Sequence, residues 1–107
     1  MYFVYIIRCS GDRLYTGITT NVDRRFSEHS GSAKGAKFTH AYPPEAVLAV
    51  WSAPDRSCAS KLEYCIKHLP RQKKLLLISD NSAFETLLDN LDCTTFVRQY
   101  TDQTALG

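Results

Sequence analysis

The stretch LYTGITTNVDRRFSEHSG, residues 14–31, sets Tyr15 two residues before Gly17 and follows them with Arg24, Arg25 and His29. A guanidinium keeps its charge at any ordinary pH and forks onto planar anions, while a phenol and an imidazole hold or pass a proton. Such a set suits an anionic substrate whose reaction moves a proton. A glycine inside a strand pattern marks the close approach of a ligand or another backbone. Scaffold needs alone account for a strand and a helix here, but not for this polar group beside a residue without a side chain.

The elements that must position these residues are legible from the N-terminus onward. YFVYIIR, residues 2–8, is apolar on both alternating faces and reads as a central strand covered on both sides. Ser10, Gly11 and Asp12 form a loop of hairpin length, with RLYTGI as the second strand. That loop sets Cys9 opposite Arg13, Ile7 opposite Tyr15 and Tyr5 opposite Gly17, so Tyr5 and Tyr15 share a face. Thr20 with Asp23 caps the next helix, whose Val22 and Phe26 turn inward. Residues 32–44 read as a loop before the strand AVLAVWS. Cys58, Leu62, Cys65, Ile66 and Leu69 recur at helical spacing, and Pro70 ends that helix and opens another through RQKKLLLI. Phe84, Leu87, Leu88 and Leu91 fit a last short helix capped from Asn81 or Ser82. Beyond it, residues 93–107 carry no strong pattern and read as a C-terminal tail, dispensable for the fold, behind a single domain at 1–92.

Composition narrows the function classes. The chain has 107 residues, enough for one domain with its own core. No apolar run approaches the ~20 residues of a membrane helix, and the apolar start lacks a basic lead and a cleavage site, which predicts a cytoplasmic protein with no membrane partner. Cys9, Cys58, Cys65 and Cys93 form no CxxC pair and have no histidine at ligand spacing, which argues against zinc or redox motifs. The net charge of +2 hides an asymmetry: residues 1–74 hold twelve Lys or Arg against six Asp or Glu, and residues 75–107 hold one against five. The basic part is where a polyanion would bind.

VYI at 4–6, YTG at 15–17, RRFSEH at 24–29 and Glu63 in the following long helix together resemble the GIY-YIG nuclease superfamily, and LYTGITT before a paired-arginine helix is similar to its small YhbQ-like branch. The resemblance covers about residues 1–80. It implies an α+β fold of order β-β-α-β-α-α, with a three-stranded antiparallel sheet flanked by helices. It also implies a metal-dependent endonuclease that hydrolyses DNA phosphodiester bonds, in the setting of repair or recombination, with one Mg2+ or Mn2+ ion. Carried over by position, Tyr5 and Tyr15 are the two motif tyrosines, Arg25 the catalytic arginine, His29 an active-site histidine and Glu63 the metal ligand. Val4 and Thr16 depart from the family letters, and Ile18 stands where repair-type relatives carry a lysine.

The chemistry is coherent. Phosphodiester hydrolysis builds negative charge on the phosphoryl oxygens, which Arg25 and a cation on Glu63 would stabilise. A tyrosine titrating near ~10 becomes a base at neutral pH only when positive charge lowers it, so Tyr15 and His29 stand as alternatives for the base. Lys34, Lys37, Lys67, Arg71, Lys73 and Lys74 are the candidate phosphate contacts. Each site residue has a plainer reading: tyrosines favour strands, Arg25 and His29 share an exposed helix face, and Glu63 pairs with Lys67 at i, i+4. The combination across three elements favours a site. The alternative is a non-catalytic nucleic-acid-binding module of the same fold, and cleavage, if present, would be directed by DNA structure or by a protein partner.

Overall fold

The structure, a computed structural model, describes residues 1–31 and 42–99, with residues 28–31 described through their backbone alone. Strands β1 (Tyr2–Cys9) and β2 (Arg13–Thr19) pair in the expected register, Tyr5 facing Gly17 and Ile7 facing Tyr15. The loop between them turns through two left-handed residues, Gly11 at φ 75° and Asp12 at φ 58°, residue types that tolerate this region. β1 is central, as its two-sided apolar pattern requires. Its other neighbour is β3 (Pro44–Ala53), which begins on the one strand position where a missing N–H does no harm.

The sheet has four antiparallel strands in the order β2-β1-β3-β4, which corrects the expectation of three. The fourth, β4 (Val97–Gln99), comes from the segment read as tail and pairs with Val50, Trp51 and Ser52. Three residues are too few to show an alternating pattern. What holds them is long-range: Arg98 donates from Nη2 to the carbonyls of Ile78 at 3.0 Å and Leu48 at 3.4 Å, and from Nη1 to that of Leu77 at 3.4 Å. Its guanidinium also lies over the Trp51 ring, 5.1 Å from the centroid.

Helices cover both faces of the sheet, giving three layers. Helix α1 (Val22–Gly31) lays Val22 and Phe26 on the face formed by Tyr5, Ile7, Cys9, Val47 and Val50. Helices α2 (Arg56–Lys67), α3 (Arg71–Ser79) and α4 (Phe84–Leu87) cover the other, where Ala59, Leu62, Ile66, Leu77, Ile78 and Phe84 enclose Val4, Ile6 and Trp51. Leu48 is an extra residue between the pairs Ala49–Ile6 and Val47–Ile7, and this bulge turns both Leu48 and Ala49 toward the larger core. Trp51 is fully buried and its indole N–H donates to Asn81 Oδ1 at 2.8 Å, so its one polar group is satisfied.

The caps differ in part from expectation. Asn21, not Thr20, caps α1: its Oδ1 accepts from Arg24 N–H at 3.0 Å, and Thr19 Oγ1 fixes it by accepting from Asn21 N–H at 3.1 Å. Asp55 caps α2 through Cys58 N–H at 2.8 Å. Asp80, rather than Asn81 or Ser82, caps the short turn Asn81–Ala83 that leads into α4. Helix α2 stops at Lys67, two residues before the expected Leu69. Among the described residues no helix is long and apolar enough to cross a membrane.

Candidate active site

Gly17 leaves a gap in β2, and the gap is filled from within the protein. A Cβ built on Gly17 would lie 2.5 Å from the Tyr5 hydroxyl oxygen, 2.7 Å from Tyr5 Cζ and 3.2 Å from Tyr15 Cε1. The ring of Tyr5 therefore reaches from the central strand across β2 toward the sheet edge. This corrects the reading of Gly17 as a place for ligand or backbone. The two phenol rings pack at 6.4 Å between centroids with a 40° tilt.

Arg25 comes to this pair from α1. Capping at Asn21 starts the helix, burial of Val22 and Phe26 sets its rotation, and Arg25 lies beside Phe26 on the sheet-facing side, half-buried. Its guanidinium hydrogen-bonds the hydroxyls of both Tyr5 and Tyr15. Burial pushes the Tyr5 phenol up to about 12, with Tyr15 adding to the rise and Arg25 opposing it. Tyr15 is also raised, first by burial, against the lowering charge of Arg25. Glu63 raises both phenols further through its negative charge. It belongs to α2, on the opposite layer, and its effect on the tyrosines is that of its charge.

Tyr5, Tyr15, Arg25 and Glu63 thus form one electrostatic cluster at the β2 edge, drawn from four elements. Residues 1–75 match the family described as the GIY-YIG catalytic domain. The chain belongs to the GIY-YIG family. The UPF0213 protein DP2720 of Desulfotalea psychrophila is 45% identical over 87 residues, covering 80% of this chain and 79% of the relative. The UPF0213 protein YhbQ of Escherichia coli is 41% identical over 92 residues, covering 84% and 89%. The solution NMR structure of the UPF0213 protein BH0048 from Bacillus halodurans has 45% identity over 74% of this chain and 84% of its own, with a TM-score of 0.48. The identities to DP2720 and YhbQ put the chain in the YhbQ-like branch of the GIY-YIG nuclease superfamily.

The cluster in this GIY-YIG domain contains four of the five expected site residues. His29 lies on α1, one turn beyond Arg25, and its side chain is outside the described residues. Ile18 pairs with Val4 and packs against the core under α2, away from the face of Tyr15, so an apolar residue at this position serves the scaffold. Glu63 also pairs with Lys67, Nζ to Oε2 at 3.6 Å, the i, i+4 ion pair of its plainer reading.

Of the expected phosphate contacts, Lys34 and Lys37 lie outside the described residues. The rest form a basic corner where α2 gives way to α3. Lys67 is tied to Glu63 at one end, and Arg71 Nη2 reaches Asp12 Oδ2 in the β1–β2 loop at 3.0 Å. Lys73 is exposed, and Lys74 is half-buried, its ammonium lowered by burial and then by the charge of Arg71.

Among the described residues, no three His, Cys, Asp or Glu side chains group as a metal site. A magnesium-like ion fits that poverty: it dehydrates reluctantly, and takes one or two carboxylates while water and substrate oxygens complete its shell. Glu63, partly exposed and near enough for its charge to act on both phenols, is the carboxylate this cluster offers.

Proposed function

We propose that the chain hydrolyses DNA phosphodiester bonds at the β2 edge, with a divalent cation held by Glu63. The observation that carries this reading is Arg25 bonded to both phenol hydroxyls with the charge of Glu63 acting on the same pair. A bound magnesium or manganese ion would supply positive charge against the phosphoryl oxygens. Arg25 has five N–H donors, enough to orient the phenols and engage a phosphate oxygen together. Its fixed charge opposes the charge that grows on the phosphorus oxygens, and Tyr5 holds the guanidinium in place from below. Tyr15 or His29 takes the proton from the attacking water. With its phenol raised by burial, Tyr15 enters the reaction as an O–H group, so its service as base depends on the added positive charge of the loaded site.

That same elevation favours a second reading, a module of this fold that binds nucleic acid without cutting it. Supercoiled and branched DNA incubated with the purified chain, with magnesium, manganese or EDTA, separates the two. The hydrolytic reading expects metal-dependent strand breaks. Glu63→Gln and Tyr15→Phe should lose about 100-fold or more in rate with affinity kept, and Arg25→Ala should lose rate and some affinity. Binding without breaks in either metal would leave the module as the function.

A further inference from the structure

The outward face of α2 carries a surface that the candidate active site does not use. Tyr64 follows Glu63 directly and is 64% exposed, and among the described residues no other Phe, Tyr or Trp side chain is exposed to a comparable degree. Its ring lies against that of His68, with centroids 4.1 Å apart and a 33° tilt. The imidazole is itself fixed, because Nδ1 is 2.8 Å from the carbonyl oxygen of Tyr64. The result is a preformed aromatic plate on a helix whose opposite side, Ala59, Leu62 and Ile66, is locked into the core.

Beside the plate runs a groove of about 620 Å³, in the range of small-molecule sites. Tyr64 and Lys61 form one wall, Cys65 and Leu91 contribute apolar surface, and Ser60 and Asn90 add polar groups. Asn90 Nδ2 donates weakly to Cys65 Sγ at 3.5 Å, which orients the amide over the groove. Lys61 precedes Tyr64 by three residues, on the same stripe of the helix.

We infer that this groove binds an unpaired nucleotide of a DNA strand, the base stacked on Tyr64 and the adjacent phosphate paired with Lys61. The inference rests on the reading of DNA as the substrate and specifies its form. An exposed ring gains from a flat π surface, an amide and a hydroxyl suit the polar edge of a base, and a lysine suits its phosphate. A duplex keeps its bases stacked on one another and offers a side-on plate only its backbone. An unpaired base can occupy it.

The test is binding by the full chain in EDTA, so that no cleavage is needed, to three ligands of equal length: oligothymidylate, the same strand made abasic, and a duplex. The wild type should bind oligothymidylate more tightly than the abasic strand of identical charge. Tyr64→Ala should weaken the thymidylate complex about tenfold and leave the other two within about twofold, with Tyr64→Trp restoring the preference. Lys61→Ala should lower the slope of log affinity against log salt by about 0.7 on the single strand. Equal wild-type affinity for the thymidylate and abasic strands would overturn the inference, as would a Tyr64→Ala loss shared by all three ligands. Polyglutamate bound as tightly as oligothymidylate would also overturn it, by showing an acidic-peptide surface. A chain that binds through Tyr64 yet cuts nothing with metal would sink the hydrolytic reading and leave this site standing. One that cuts but ignores the bases would do the reverse.

Discussion

The Tyr5 hydroxyl occupies the space that a side chain at Gly17 would need, 2.5 Å from where its Cβ would be. Two motif residues on adjacent strands are thus one structural unit: the glycine is bare so that the tyrosine can cross the edge strand to Arg25.

Gly17→Ala tests this dependence directly. Relief needs movement of Tyr5 Cζ as well as its oxygen, since the new carbon would also sit 2.7 Å from Cζ. Tyr5 is almost fully buried, so its ring has little room to withdraw. The variant is expected to lose about 1–3 kcal/mol of stability, the usual cost of overpacking, and to break the hydrogen bond between Arg25 and Tyr5. Urea unfolding measures the first effect and strand cleavage the second. Tyr5→Phe in the same chain should not rescue it, because the ring itself collides. A Gly17→Ala chain of native stability would show that Tyr5 has another place to go.

The phenols give a pH signature. Tyr5, pushed up to about 12, and Tyr15, raised as well, keep their protons in the folded chain at pH values where free tyrosine, at ~10, has begun to lose them. A raised folded value means that the stability linked to these protons is whole below about pH 10 and is lost as pH climbs toward about 12. For Tyr5 the loss is on the order of 2–3 kcal/mol once its folded value is passed. Ultraviolet absorbance should therefore show two tyrosines ionising late, and Tyr5→Phe and Tyr15→Phe should each remove one. Early ionisation of Tyr5 would mean that Arg25 outweighs burial.

Much of this cluster was legible in the sequence, for identifiable reasons. A three-residue loop fixes every pair of a hairpin, so the facing of Tyr5 and Gly17 followed from counting. The family motif then added Arg25 and Glu63, which no periodicity would have joined, since they sit on helices in different layers. The occupant of the Gly17 gap was not legible, because strand pairing gives the face of a side chain and not its lean along the sheet. Thr20 lost the cap to Asn21 for a similarly local reason: the hydroxyl of Thr19 holds Asn21 in place, and both neighbours are cap formers. β4 was hidden because its stability lies in carbonyls of Leu48, Leu77 and Ile78, far away in the chain.

Truncation after Asp92 is expected to unfold the protein, the opposite of what its polar, weakly patterned sequence suggests. The cut removes β4 and Phe96, which is 7% exposed and packs 5.8 Å from Phe84 between ring centroids. It also strips Arg98 from the carbonyls it bridges. Phe96→Ala alone should cost about 3–5 kcal/mol, a large share of the ~5–15 kcal/mol that holds a small domain. Circular dichroism and urea unfolding of the two variants would measure this. Native-like unfolding of the truncated chain would place residues 93–99 outside the cooperative unit.

The last prediction concerns the basic corner, where Asp12 neutralises Arg71 across 3.0 Å. The aspartate is far more exposed than the arginine, and exposed pairs contribute little to stability, so Asp12→Asn should leave unfolding within about 0.5 kcal/mol of wild type. For a bound phosphate the same change removes a repelling charge and releases a guanidinium. DNA affinity should rise at low salt, by a few-fold, and the gain should fade as salt is added. Arg71→Ala together with Lys73→Ala should act in the opposite direction, reducing the slope of log affinity against log salt on duplex DNA by about 0.9 for each phosphate that is no longer neutralised. Glu85→Gln, on the acidic C-terminal part, provides the control for net charge alone. If it raises affinity as much as Asp12→Asn, the effect is global charge and the strand does not pass this corner; if only Asp12→Asn does, the phosphates run between the β1–β2 loop and the start of α3.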